Sequence, residues 1–239
     1  MGDQQYHIHY EFRFNNGKFD LFDIPIDSKT LLLLWPLPEK TPAWTNLEYK
    51  QCRCCTLKKE AEPYCPVATN ISRVVSRFTR IISHEKCIVN CKTPERTYQK
   101  KTSIMEGLSS ILGIVMATSR CPIMEIFRPM ARFHLPFSTV EETLVRSTSF
   151  YLLRQYFKHN KKRSSDFSLD HLQKHYKKLK LLNEGLLARI SGLEGKDSDK
   201  NALLVFHSIA EILSLEIETH LQSIEYLFSE QPDNSGVKD

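Results

Sequence analysis

No apolar run in this chain is long enough to cross a bilayer. Runs such as Leu31 to Trp35 reach only five residues, against the roughly 20 that a spanning helix needs. The start of the chain, Met1 to Phe14, carries Asp3, His7, His9, Glu11 and Arg13 and has no apolar stretch. It therefore reads as neither a signal peptide nor an anchor, and the expectation is a soluble, cytoplasmic protein without a membrane partner. A phosphate-cradling nucleotide loop is also missing. Glu106-Gly107-Leu108-Ser109-Ser110-Ile111 lacks the glycine after serine that a nucleophile elbow requires. With no complete catalytic constellation, no catalytic residue is assigned, and the reading leans away from an enzyme. Solenoid repeats and low-complexity tracts are absent as well.

Positive charge is present but unevenly placed. The net charge is +5, and Lys158 to Lys180 holds eight Lys or Arg against Asp166 and Asp170, whereas Ala202 to Glu230 has five Glu and no Lys or Arg. Each stretch can neutralise the other. The Lys174, Lys177 and Lys178 stripe then pairs within the chain, which argues against nucleic-acid binding as the purpose of the basic stretch.

Cysteine is where the chemistry concentrates. Seven cysteines, an odd number, in a reducing compartment read as free thiols or metal ligands and not as a disulfide framework. Four fall within Cys52-Arg53-Cys54-Cys55 and Tyr64-Cys65-Pro66. Two thiolates separated by two residues can face one ion from a single turn. Cys65 stands at a predicted helix start, where the dipole favours a thiolate, and Cys121 follows a helix end beside Pro122. The candidate metal ligands are Cys52, Cys55, Cys65 and Cys121, with Cys54 or His134 as substitutes. Four thiolates suit zinc, and an iron-sulfur cluster uses the same donors. Cys87 and Cys91 flank Val89 on one face of a predicted strand and read as core.

The pattern of elements predicts an α+β fold: a small antiparallel sheet of hairpins packed with helices, followed by a long antiparallel helical hairpin. Tyr6 to Phe14 and Phe19 to Ile24 flank the turn Asn15-Asn16-Gly17-Lys18. Trp44 to Lys50 reads as a third strand that delivers the chain into the cysteine loop. Val67 to Ile82 has helical spacing opened by Pro66. Cys87 to Cys91 and Arg96 to Lys100 form a second hairpin. Helices follow at Ser103 to Ser119, with Ser103 and Glu106 as a capping box, and from a Ser138 cap with Glu141 to about Lys158.

Two apolar seams close the chain: Leu169, Leu172, Tyr176, Leu179, Asn183, Leu186, Ile190, Leu193, and Leu203, Phe206, Ala210, Leu213, Ile217, His220, Ile224, Leu227. Joined by residues 192–199, they are expected to fold on each other, with Tyr176 beside His220 and Lys178 near Glu218. The division is an α+β domain over 1–158, a helical hairpin over 166–229 and a disordered tail over 230–239. The hairpin offers a surface for a homo-oligomer or a protein partner.

Several short motifs carry a resemblance. Cys52 to Cys55, Tyr64-Cys65-Pro66-Val67-Ala68, Thr93-Pro94-Glu95-Arg96-Thr97-Tyr98, Gly107-Leu108-Ser109-Ser110, Met116-Ala117-Thr118-Ser119-Arg120-Cys121-Pro122 and Arg128-Pro129-Met130-Ala131-Arg132-Phe133-His134-Leu135-Pro136-Phe137 together resemble a family of uncharacterised bacterial proteins defined only as a domain of unknown function. The likeness runs from Trp44 to Tyr156 and implies no activity. In the family the first cysteine pair has the form Cys-Pro-x-Cys; here Arg53 replaces the proline and Cys54 is an extra thiol, which leaves open which of Cys54 and Cys55 is a ligand.

A second candidate site is an anion pocket of Arg128, Arg132 and His134, with Arg120 nearby, since guanidinium forks match phosphate or carboxylate. It is the basis of the alternative reading, an enzyme or small-molecule sensor. The bland counterpart is bracing of the loop by pairs with Glu125, Glu141 and Glu142. His7, His9 and His84 read as isolated polar residues.

Overall fold

The computed structural model describes residues 5–38, 40–77, 86–191 and 221–229. Strand β1 (Gln5–Phe14) alternates strictly, burying Tyr6, Ile8, Tyr10, Phe12 and Phe14. Its neighbour β2 (Phe19–Asp27) buries Phe22, Ile24 and Ile26 on the same face. The period-2 pattern fixes which face meets the core, and the four-residue turn sets His9 opposite Asp23 and Tyr10 opposite Phe22. The second hairpin, β3 (Lys86–Lys92) and β4 (Thr97–Ser103), joins the first through antiparallel β1–β3 pairing, giving the order β2-β1-β3-β4. Cys87, Val89 and Cys91 face the core, as their alternation predicts.

Helices cover that face. Helix α1 (Pro66–Arg77) and α2 (Ile104–Ala117) pack on each other, and α2 also contacts β1, β3 and β4. Gly107 permits the approach of α2: a Cβ there would lie 2.5 Å from the Phe12 ring. Ser103 caps α2 through the Glu106 backbone N–H, but the Glu106 carboxylate turns to Lys100 and Thr102 instead of closing the expected box. The short α3 (Arg128–Arg132) leads to α4 (Val140–Asn160). There the capping box is Thr139 with Glu142, one residue beyond the expected Ser138 and Glu141, because the Ser138 hydroxyl bonds Thr143.

The expected strand over Trp44 to Lys50 does not form. A single 3-10 turn (Ala43–Thr45) and one bridge, Asn46 to Tyr64, stand in its place. The carbonyls of Trp44, Asn46 and Leu47 are taken by the Arg189 guanidinium at 2.7 to 2.8 Å, so they have no strand partner to recruit.

Helix α5 (Asp170–Ser191) carries the first seam, and Leu172, Tyr176, Leu179, Leu182, Asn183, Leu186 and Ile190 are buried on it. Among the described residues it contacts the cysteine loop, α4 and the segment after α2. Tyr176 bonds Ser147, His175 bonds the Ile123 carbonyl, and Lys50 reaches the Ala188 carbonyl. The expected pairs Tyr176 with His220 and Lys178 with Glu218 fall on residues 192–220, outside the described residues. No helix among the described residues is long and apolar enough to cross a membrane.

Candidate metal centre

Three separate pieces of chain deliver the four cysteines. The loop before α1 supplies Cys52 and Cys55 from one turn, closed by the Cys55 N–H on the Cys52 carbonyl at 2.9 Å. Cys65 immediately precedes α1, and its own N–H is fixed to the Thr45 carbonyl at 2.7 Å. Cys121 begins the turn after α2, closed by the Met124 N–H on its carbonyl at 3.1 Å.

The two Cys-Pro turns share a local device. Burial pushes both thiols up, and backbone amides partly offset it, those of Ala68 and Val67 at Cys65 and those of Ile123 and Met124 at Cys121. In each, proline follows the cysteine and the next two amides converge on the sulfur. Amides aimed at sulfur favour a thiolate over a thiol.

The thiols lie close enough to act on one another electrostatically. Cys52 is pushed up first by burial and then by Cys55, Cys54, Cys65 and Cys121. Cys55 acts on Cys65, and Cys65 and Cys55 both act on Cys121. Burial holds the Cys121 thiol up at about 11. In the absence of a cation burial keeps Cys52, Cys65 and Cys121 as protonated thiols; a bound ion reverses that logic by deprotonating its ligands. No three thiols among the described residues bring their sulfurs within 4.8 Å of one another. Tetrahedral zinc with bonds of ~2.3 Å sets sulfurs about 3.8 Å apart, so gripping one ion requires side-chain rotations.

Helix α5 forms the back wall of the loop. Cys54 donates to the Lys178 carbonyl at 3.3 Å, which commits it to the helix. A Cβ on Gly185 would lie 2.7 Å from the Cys52 Cβ and 3.0 Å from its Cα, so only glycine admits the loop at this height. One turn further, Arg189 is 2% exposed, and its charge partly offsets the burial that pushes the Cys65 thiol up. It has carbonyl partners and no carboxylate partner among the described residues.

The arginines singled out in the sequence do not converge. Arg132 pairs with Glu95 at 3.1 Å and stacks 3.9 Å from the Tyr6 ring centre. Arg128 donates to the Ser119 carbonyl at 3.3 Å. His134 meets the Tyr10 hydroxyl at 2.5 Å, and burial, then the Arg146 charge, lowers its pKa to about 3. It is held among these groups instead of at the thiols. A cavity of about 720 Å³ opens beside it, edged by His134 and Arg146 but by neither Arg128 nor Arg132.

Arg189, Gly185 and Arg146 escaped the sequence reading. The only trace of Arg189 was its place beside Ile190 at the edge of the seam, where a charge needs a buried partner. Gly185 left the trace of a glycine inside a helical pattern.

These features define a class: an α+β protein whose sheet and helices carry a loop of clustered thiols backed by a C-terminal helix. Within that class the chain belongs to the family described as a domain of unknown function (DUF6901), whose sequence model matches residues 8–229. The match is wider than the Trp44 to Tyr156 stretch that carries the resemblance. No curated protein and no solved structure matches the chain.

Proposed function

We propose that the chain is a non-enzymatic, metal-stabilised protein in which Cys52, Cys55, Cys65 and Cys121 hold one zinc ion. The convergence of four thiols from three segments, each within electrostatic reach of the others, carries this reading. The amides aimed at Cys65 and Cys121 and the buried guanidinium of Arg189 support it, because four thiolates around a divalent ion leave net negative charge to balance. Zinc suits a closed four-sulfur site, and an iron-sulfur cluster is the alternative cofactor. Both fit a reducing, cytoplasmic setting. The C-terminal helices are the proposed surface for a protein partner or a second copy.

Metal analysis of protein purified anaerobically under reducing conditions tests this. One equivalent of zinc, lost together with the fold in chelator, is the expected result. Substoichiometric zinc and iron with an unchanged fold in chelator overturns it. An iron-sulfur chromophore moves the protein toward redox sensing.

A second reading, small-molecule sensing, rests on the cavity of about 720 Å³, within the range of ligand sites. Met105, Met116, Met124 and Met130 line it, and the Ser109 hydroxyl at its wall is buried without a hydrogen-bond partner among the described residues. Methionines adapt to irregular apolar ligands. Thermal shifts with a panel of apolar carboxylates and heteroaromatics test this reading, and no shift with any of them counts against it.

A further inference from the structure

On the outer face of the sheet, far along the chain from the thiols, His7, His9 and Asp23 bring their donor atoms within 4.8 Å of one another. The two histidines are two apart on β1 and so share a face, and Asp23 is the cross-strand partner of His9. His7 Nδ1 lies 2.9 Å and His9 Nδ1 3.2 Å from the same oxygen, Asp23 Oδ1. The rings are stacked 5.7 Å apart at 17°, so both present their Nδ1 edge to one point. All three side chains keep 38 to 53% of their surface in solvent, which leaves an entry path.

We infer that His7 Nδ1, His9 Nδ1 and an Asp23 carboxylate oxygen form a second metal site, of nitrogen and oxygen donors, for a first-row divalent ion such as Ni2+ or Zn2+.

Geometry is the first support. Bonds of ~2.1 Å in a tetrahedron set donors about 3.4 Å apart, and the observed 2.9 and 3.2 Å need to open only by tenths of an ångström. Proton accounting is the second. His7 Nε2 faces the Gln5 Oε1 at 3.2 Å while its Nδ1 faces Asp23. Two acceptors flank one ring, and a neutral imidazole has a single N–H to offer. Placing that proton on Nε2 toward Gln5 frees the Nδ1 lone pair for an ion, and Gln5 then orients the ligand as outer-sphere partners of metal-bound histidines do. Imidazole with carboxylate selects borderline ions over Mg2+ or Ca2+. Three protein donors leave a position for water or a small anion. Lys92 stands opposite His9 on β3; Glu11, further along β1, is engaged by Arg13 and Asn90.

The test is a Ni2+ titration of the full chain, read on the imidazole NMR signals. This readout is specific to the histidines and does not depend on whether the thiols hold zinc. The expected result is joint broadening of His7 and His9 before the other histidines, with affinity falling at least tenfold in His9→Ala and in the isosteric Asp23→Asn. Glu11→Gln is expected to leave it unchanged. Because these side chains point to solvent, unaltered far-UV circular dichroism accompanies each variant. The site is overturned if His7 and His9 respond no earlier than other histidines, or if Asp23→Asn binds Ni2+ like the parent chain.

Discussion

Arg189 takes its charge into the interior and answers three backbone carbonyls with one planar fork. Arg189→Leu leaves the buried Trp44 and Leu47 carbonyls without that donor, while Asn46 keeps the Tyr49 N–H, at an expected cost of about 2 to 4 kcal/mol, measured as the loss in urea unfolding free energy. Arg189→Lys recovers little, since one ammonium cannot span the three oxygens. His134 makes a pH prediction. Its folded pKa, about 3, lies below the ordinary imidazole value, so the folded state disfavours the proton that the unfolded chain accepts near pH 6.5. The stabilisation is complete above ~6.5 and is lost as pH falls toward the folded value. Unfolding midpoints measured at pH 7.5 and 5.0 should therefore drop with acid, and His134→Gln should flatten that drop.

Helix α5 is the element on which the site depends. Its apolar face buries Leu179, 6% exposed, between the cysteine loop and the cavity. Leu179→Ala is expected to cost about 2 to 5 kcal/mol, as for other buried leucine truncations; a near-zero loss in the unfolding free energy would mean that the seam is not packed. Gly185→Ala raises helix propensity yet drives a methyl group into the Cys52 backbone. A net destabilisation of about 1 to 3 kcal/mol follows from overpacking, together with weaker metal retention in chelator competition. An ordinary exposed glycine in a helix would show the opposite sign.

Across the whole molecule, α5 is tied into the rest of the chain. The Asp166 carboxylate receives the Tyr151 hydroxyl at 2.6 Å and the His171 N–H at 2.8 Å, so the connection between α4 and α5 is fixed by hydrogen bonds as well as by length. A fragment of residues 1–160 is thus expected to melt below the full chain and, if the proposed zinc site is filled, to lose zinc more readily. Equal melting temperature and equal zinc retention in the fragment would instead support an independent domain over 1–158.

Local order explains what could be read early. Alternation in β1, the turn at Asn15-Asn16-Gly17-Lys18, the Ser103 cap, the seam of α5 and the cysteine spacing all act over a few residues, so the α+β class and the candidate thiols were determined by the sequence by itself. Register and convergence act at a distance. That His9 faces Asp23 depends on how β1 pairs with β2, which is why these histidines read as isolated. That Trp44 to Lys50 turns away from a strand depends on a guanidinium 142 to 145 positions further along the chain. That Arg132 answers Glu95, and His134 answers Tyr10, depends on how the helices settle on the sheet. Side-chain chemistry announces a donor wherever it stands, but a partner is chosen only when packing closes the space between segments, and the tertiary structure alone decided that.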